Sequence, residues 1–254
     1  MVEKNAKDMN NVGIFKRPLF FASIILGLAF IIGMSIFGYL FYLSRIPQKT
    51  LTVTGSARER VISDLAKWSS NYSVKVTESK LEEGFKLIKS FEKNVLEIFK
   101  ENGISEDEIT ISAISVNELY VDPERQTERF YILTQQIYVE TKDVEHIAQK
   151  SKSIIQKILD TGIAFQSFPV EYYYSKLPEK RVQLLSEAVK DARRRAEEIA
   201  KSGGLKVGKV LSARSGVVQV LAPNSVEISD YGSYDTSTLE KEIMVTVNVV
   251  FEAK

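Results

Sequence analysis

The apolar positions of this chain follow two regimes. From Pro18 to Ser44, "PLFFASIILGLAFIIGMSIFGYLFYLS", no charged residue interrupts the run. As a helix, Leu19 to Leu43 extends roughly 37 Å, more than the ~30 Å hydrocarbon core of a bilayer. A cleaved signal peptide carries a shorter apolar stretch of about 7–15 residues. The run therefore predicts an uncleaved signal anchor over residues 19–44, with a short tail (1–18) before it and a linker (45–49) after it. Tyr39 and Tyr42 suit the membrane interface. Gly27, Gly33 and Gly38 permit close helix contact, but no pair has the G-x-x-x-G spacing.

Beyond the linker, residues 50–254 alternate between strand and helix periods. "TLTVTGS" places Leu51, Val53 and Gly55 on one face, and Lys67 to Thr77 places Tyr72, Val74 and Val76 on one face. A helix follows with Leu81, Phe85, Ile88, Phe91, Val95, Ile98 and Phe99 at spacings of three and four. Asn102-Gly103 stops it, glycine supplying a left-handed cap. A second helix, from Asp143, turns Val144, Ile147, Ile154, Ile158 and Leu159 inward and ends at Gly162. A third, Glu179 to Lys201, turns Val182, Leu185, Val189, Ala192, Ala196 and Ile199 inward and ends at Gly203-Gly204. Each helix runs into a strand: "EITISAISV", "AFQSFPVEYYY" and "KVGKVLSAR". Strands Ser115–Tyr120 and Arg129–Glu140 flank the turn "VDPERQTE". The last strand alternates Ile243, Val245, Val247, Val249 and Phe251, while Met244 and Val250 make its other face apolar too, so this long terminal strand is expected to offer an edge that must be paired and a second face that needs cover. The order ββαββαβαββ predicts an α+β domain, a mixed β-sheet packed with three amphipathic helices after one transmembrane helix.

Composition narrows the chemistry. The formal charge is +1, so nothing global points to nucleic acid. Cysteine is absent, which excludes disulfides, thiolate metal sites and cysteine nucleophiles. With His146 as the single histidine, a multi-histidine metal site is impossible. Lys4, Lys7, Lys16 and Arg17 before the apolar run nearly balance Arg45, Lys49, Arg58 and Arg60 after it. The charge rule is thus almost silent on orientation. The short tail and large C-terminal domain favour an extracytoplasmic domain, single-pass in the cytoplasmic membrane.

Four segments invite a functional reading. "GGLKVGKV", from Gly203, matches a phosphate-binding loop at Gly203, Gly208 and Lys209 but has Val210 where a hydroxyl would hold magnesium. Such a loop needs a strand before it and a helix after it. Here the order is inverted, so Gly203 and Gly204 are read as a helix cap and Gly208 as a turn or strand-start residue. In "DARRRAEEIAK", the pairs Asp191–Arg195, Arg193–Glu197 and Arg194–Glu198 are spaced i, i+4. A self-paired helix face is expected rather than a nucleic-acid patch. Glu227, Asp230 and Asp235 lie in the long polar segment Leu221–Lys241, but their spacing fits no calcium loop. His146, Trp68 and Tyr172-Tyr173-Tyr174 are read as boundary and packing residues. No catalytic, cofactor-binding or metal residue is assigned.

The ordered set resembles one family. "VTGSARERVISDLAKWSSNYSVKV" with Gly55, Asp64 and Ala66, "NGISEDEITISAISVNELY", "LLSEAVKDARRRAEEIAKSGGLKVGKVLSA" with Ala188, Asp191, Ala192, Ala196, Ala200, Gly204 and Gly208, and "IMVTVNVVFE" are similar to the SIMPL-domain family. That family includes bacterial periplasmic immunogenic proteins. The resemblance covers nearly all of Thr50 to Phe251. It implies an extracytoplasmic α+β domain that builds ring-like oligomers and is linked to oxidative and envelope stress. The family offers no agreed catalytic residues to carry over. Many members have a cleaved signal peptide; this chain departs by keeping an anchor. The leading expectation is a non-enzymatic, membrane-anchored homo-oligomeric assembly protein without cofactor. A monomeric exported module binding a peptide, lipid or small molecule is the alternative. A hydrolase using Asp64 or Asp191 ranks last.

Overall fold

The computed structural model describes residues 5–44, 49–119, 128–225 and 229–254, with side chains from residue 20 onward. Helix α1, Asn5–Ser44, starts well before the expected anchor. Its stretch Phe20–Ser44 is 25 residues long with mean hydropathy 2.5, long and apolar enough to cross a membrane, and none of it is buried inside the chain.

The remainder, Leu51–Lys254, forms one unit in which the strands divide into two sheets. The first runs β1-β10-β8-β9: β1 Thr50–Ile62, β10 Glu240–Ala253, β8 Val207–Leu221 and β9 Ser233–Tyr234. β8 pairs antiparallel with β10 and parallel with the two-residue β9, so the expectation of mixed pairing holds. Ile243, Val245, Val247, Val249 and Phe251 are all buried, as their alternation requires. The expectation that β10 needs outside cover is corrected. This strand lies inside the sheet, and Met244 is buried within the chain beside Gln219, its register partner. The Gln219 amide holds the overlying segment through Ser229 O and Ser233 Oγ.

Helix α4, Leu177–Ser202, covers the inner face of this sheet. Its buried residues are Leu184, Ala188, Ala192, Ala196 and Ala200, one every four positions. The expected face is therefore rotated: Val182 and Ile199 are exposed, while Leu185 and Val189 only flank the core. The cause is Gly55 on β1. A Cβ there would lie 2.1 Å from Ala188 O and 2.5 Å from Ala192 N. The helix sits close enough to the sheet that only small side chains fit between them.

The second sheet centres on β2, Leu65–Thr77, and β5, Phe130–Thr141, paired antiparallel from Ala66↔Thr141 to Thr77↔Phe130. β3 Ile109–Ile111 and β4 Ser115–Leu119 add to β5; β6 Phe165–Ser167 and β7 Glu171–Tyr173 add to β2. "EITISAISV" and "AFQSFPVEYYY" are thus each two short strands rather than one. Between β3 and β4, the Ser112 hydroxyl accepts the Gln136 N–H that a ladder would have used. Between β6 and β7 stands Pro169, which has no N–H to give. β4 and β5 pair as expected up to Leu119↔Phe130; the turn between them, over residues 120–127, lies outside the described residues.

Helices α2, Leu81–Glu101, and α3, Ile147–Asp160, complete the second core with Ile88, Val95, Phe99, Ile154 and Ile158 fully buried. Phe85 and Leu159, expected inward, are exposed. Gly84 takes the inward place on α2, where a Cβ would meet Leu133 Cδ1 at 2.7 Å. Trp68 stacks on Phe99 with ring centroids 5.2 Å apart and donates its indole N–H to Ser167 Oγ at 2.8 Å. All three helices end as expected on a left-handed glycine: Gly103, Gly162 and Gly204 have φ of +76°, +79° and +70°.

Candidate functional site

The most developed surface feature lies between α4 and the free edge of β1. Asp191 is its centre. Its Oδ2 accepts the Ser56 N–H at 3.0 Å and the Arg195 Nε–H at 2.7 Å; its Oδ1 accepts from Arg194 at 2.7 Å. The Ser56 N–H is an edge group of the sheet, so a helix carboxylate occupies the place of a neighbouring strand. That N–H and the two guanidinium groups, against the cost of burial, hold the Asp191 carboxyl below its ordinary range. It is a saturated acceptor and is ill-suited to abstract a proton.

Two concavities flank it. One, about 650 Å³, is lined by Thr52, Val53, Thr54, Arg194, Arg195, Glu198 and Ile199. The other, about 420 Å³, is lined by Ser56, Ala57, Arg58, Glu187, Lys190, Asp191 and Arg194. A strand edge beside a helix, with two arginines between them, has the parts that seat an extended peptide or a carboxylate. The expected pairs Asp191–Arg195 and Arg193–Glu197 form. Arg194 does not pair with Glu198; it turns back to Asp191, three residues away. Arg193 also lies over the Phe251 ring, 5.5 Å from its centroid.

The loop that imitates a phosphate site is a helix end. Gly204 has positive φ, Lys209 is exposed on β8, and a Cβ at Gly208 would lie 2.8 Å from Glu252 Oε2. Asp64, the other weighed carboxylate, accepts the Ser175 N–H and hydroxyl, each at 2.7 Å. Burial pushes its pKa up, but those two bonds outweigh it and hold the carboxyl low. Asp64 and Asp191 therefore serve separate joints of the fold. His146 is the residue before α3, exposed, with Nδ1 2.7 Å from Asp143. Tyr172 is buried, and Tyr173 stacks on Tyr234 at 5.8 Å.

Sequence reasoning passed over Lys241. Its side chain is fully buried, and its ammonium donates to Asp235 O at 2.5 Å and Thr238 O at 2.8 Å, with the Asp235 carboxylate at 3.5 Å. Burial pulls the Lys241 pKa down, against the pull of Asp235. Asp235 itself is held low by Ser237, Thr238 and Lys241 despite burial. The loop weighed for calcium thus closes around a cation of its own chain. Glu227 of that trio lies outside the described residues, among which no group of three or more metal-ligating side chains occurs. The signal was strand phase: Lys241 shares the parity of Ile243, Val245 and Val247, which points inward.

Comparison with known proteins places the domain in a family. The model of the SIMPL family, described as "Protein of unknown function (DUF541)", matches residues 51–251. No curated protein matches the chain. The residues that carry the resemblance in the sequence have packing duties here. Gly55 admits α4, Ala66 is fully buried, Ala188 to Ala200 form the helix face, and Gly204 caps it.

Proposed function

The chain belongs to the SIMPL family, and on that premise we propose that it is a non-enzymatic, membrane-anchored assembly protein whose extracytoplasmic domain associates with copies of itself. The observation that carries the proposal is the outer edge of β8. Its only described neighbour on that side, β9, covers Gln219 and Val220. Lys209 to Ser215 are exposed without a break, and Val210, Leu211 and Val217 are 43%, 37% and 40% exposed. A long open edge with apolar side chains calls for a partner strand. β1 is the opposite edge of the same sheet. Pairing β8 of one copy with the β1 edge of the next, outside the place that Asp191 takes at Ser56, is a head-to-tail contact that closes into a ring when the rotation permits. Anchoring raises local concentration and favours such contacts. A place at the cytoplasmic membrane, argued from the apolar anchor, and a part in envelope or oxidative stress defence, implied by the resemblance, belong to this reading.

The test is the mass of the full-length particle in detergent, measured by light scattering across a dilution series. A multimer that dissociates in Leu211→Lys/Val217→Lys supports the reading; a monomer at every concentration removes it. Added protease should digest the domain before the membrane is opened; protection until then reverses the orientation. The groove beside Asp191 favours a second reading, a monomeric module that seats an extended peptide. It predicts saturable peptide binding that weakens with Arg194→Ala.

A further inference from the structure

We propose that the end of the domain where α4 stops is a docking surface for an anionic phospholipid bilayer. Four chain segments meet there. Thr54 opposes Asn248 and Arg58 opposes Glu242, so β1 and β10 run antiparallel and β1 begins where β10 ends. Lys254 and Lys206 exchange backbone hydrogen bonds of 2.6 and 2.8 Å, which joins the end of β10 to the start of β8. Leu205 N–H closes the end of α4 on Ala200 O at 2.8 Å.

The side chains at this end are mostly basic and apolar, with Glu198 and Glu252 the acidic neighbours. Every residue from Lys201 to Lys206 is exposed, with Leu205 at the tip, the exposed Ile199 in the last turn of α4, and Lys254 alongside. No acidic residue occurs in the sequence between Glu198 and Glu227. Lys201 and Lys206 have no ion-pair partner among the described residues; Lys254 has Glu252 at 3.4 Å. Apolar tips ringed by lysines match an interface of acyl chains beneath anionic headgroups. A second copy seated here by a two-fold contact is a poor occupant, since it would bring lysines against lysines. In the sequence, six residue steps separate Ser44, the last residue of the apolar helix, from Thr50, the first of β1, a chain length of about 20 Å at most. This inference is independent of the assembly reading.

Because the chain lacks cysteine, one introduced thiol labels one place. Full-length Leu205→Cys, carrying an environment-sensitive fluorophore, is reconstituted into vesicles containing spin-labelled lipid. Ser202→Cys is a second reporter, in case the first disturbs the fold. Val182→Cys, on an exposed residue about 30 Å back along α4 from Ser202, is the control. In phosphatidylglycerol-rich vesicles the tip probes should be quenched several-fold more than the control. Lys201→Gln/Lys206→Gln/Lys254→Gln should abolish that difference, because each lysine contributes about five-fold to partition onto an anionic surface. No excess quenching at the tip overturns the proposal. So does equal quenching in pure phosphatidylcholine, which would reflect the tether alone, or self-quenching that grows with protein density, which would put a second copy there.

Discussion

The two sheets of the domain are covered by helices in opposite ways. Over the second sheet, α2 and α3 stand off on large side chains: Ile88, Phe99, Ile154 and Ile158 fill the gap, and Trp68 lies flat on Phe99. Over the first sheet, α4 comes down on alanines, because Gly55 leaves no Cβ to hold it away. The first interface buries less apolar volume per residue and is more exacting in shape. It is also fastened by charged groups, Asp191 onto the β1 edge and Lys180 onto Glu59 at 2.6 Å, where the second core has Glu92 of α2 accepting from Gln135 of β5 at 2.9 Å. Close approach thus replaces bulk, and such an interface should tolerate enlargement poorly where the other tolerates truncation poorly.

The sharpest way to break the comparison is to add volume to one layer and remove it from the other. Gly55→Val places methyl groups where Ala188 O and Ala192 N already stand. Backbone cannot yield as a side-chain tip can, so the loss should exceed about 4 kcal/mol, the range of diagnostic core damage. Phe99→Ala removes the ring under Trp68 and should cost about 3–5 kcal/mol. Chemical denaturation of both variants checks the order. Because Trp68 is the only tryptophan, its fluorescence separates the sites: Phe99→Ala should change the folded-state spectrum, and Gly55→Val should not. A Gly55→Val protein as stable as the parent would mean that α4 does not sit as close as described.

Where the two layers meet, the loop before β10 is held by Lys241. Lys241→Met keeps the shape of the stem but leaves the carbonyls of Asp235 and Thr238 and the Asp235 carboxylate without their cation. Removing one partner of a buried pair costs about 3 kcal/mol. The same measurement on Lys241→Met/Asp235→Asn should recover part of that loss. A double variant as unstable as the sum of the two singles would show that the pair is not coupled.

These elements differ in how legible they were in the sequence, and for physical reasons. Periodicity located all three helices, and the glycines after them marked their ends, because a left-handed cap is a local requirement. The inward face of α4 was misread because hydropathy ranks Val182 and Ile199 above Ala188 and Ala200. What decided the matter was the missing side chain on Gly55, well over a hundred residues away. β10 was taken for an edge because strand order is a property of pairing, not of pattern. The α4–β1 groove was half legible: the Asp191–Arg195 spacing was visible, but the Ser56 N–H that completes it belongs to another element.

Asp191 supplies a pH test of the first layer. Its folded pKa is lowered, chiefly by the Ser56 N–H. A lowered carboxylate stabilises above its unfolded pKa near 3.9, and that contribution is lost as pH falls through the lower folded value. Asp191→Asn should therefore cost about 2 kcal/mol at neutral pH, the scale of hydrogen bonds to a charged group. The gap between variant and parent should shrink below about pH 4. Denaturation midpoints across that range check it; a gap that stays constant with pH would mean that the carboxylate charge contributes nothing.

The smallest effects belong to the loop after α4. If Gly204 is there for its left-handed backbone, Gly204→Val should cost about 1 kcal/mol or more, since φ of +70° disfavours a β-branched side chain. Lys209 has no ion-pair partner among the described residues and sits exposed on β8. Lys209→Ala should leave stability within about 0.5 kcal/mol of the parent. The pair of variants separates two accounts of one motif. In a phosphate loop the lysine is the residue whose loss is felt, through lost nucleotide binding. In a helix cap the glycine matters and the lysine is incidental. The helix before this loop presents its C-terminal, partially negative end, which repels phosphate rather than attracting it. Titration with ATP should give no saturable binding in either variant or in the parent. Binding in the parent that vanishes with Lys209→Ala would restore the nucleotide reading and overturn the cap.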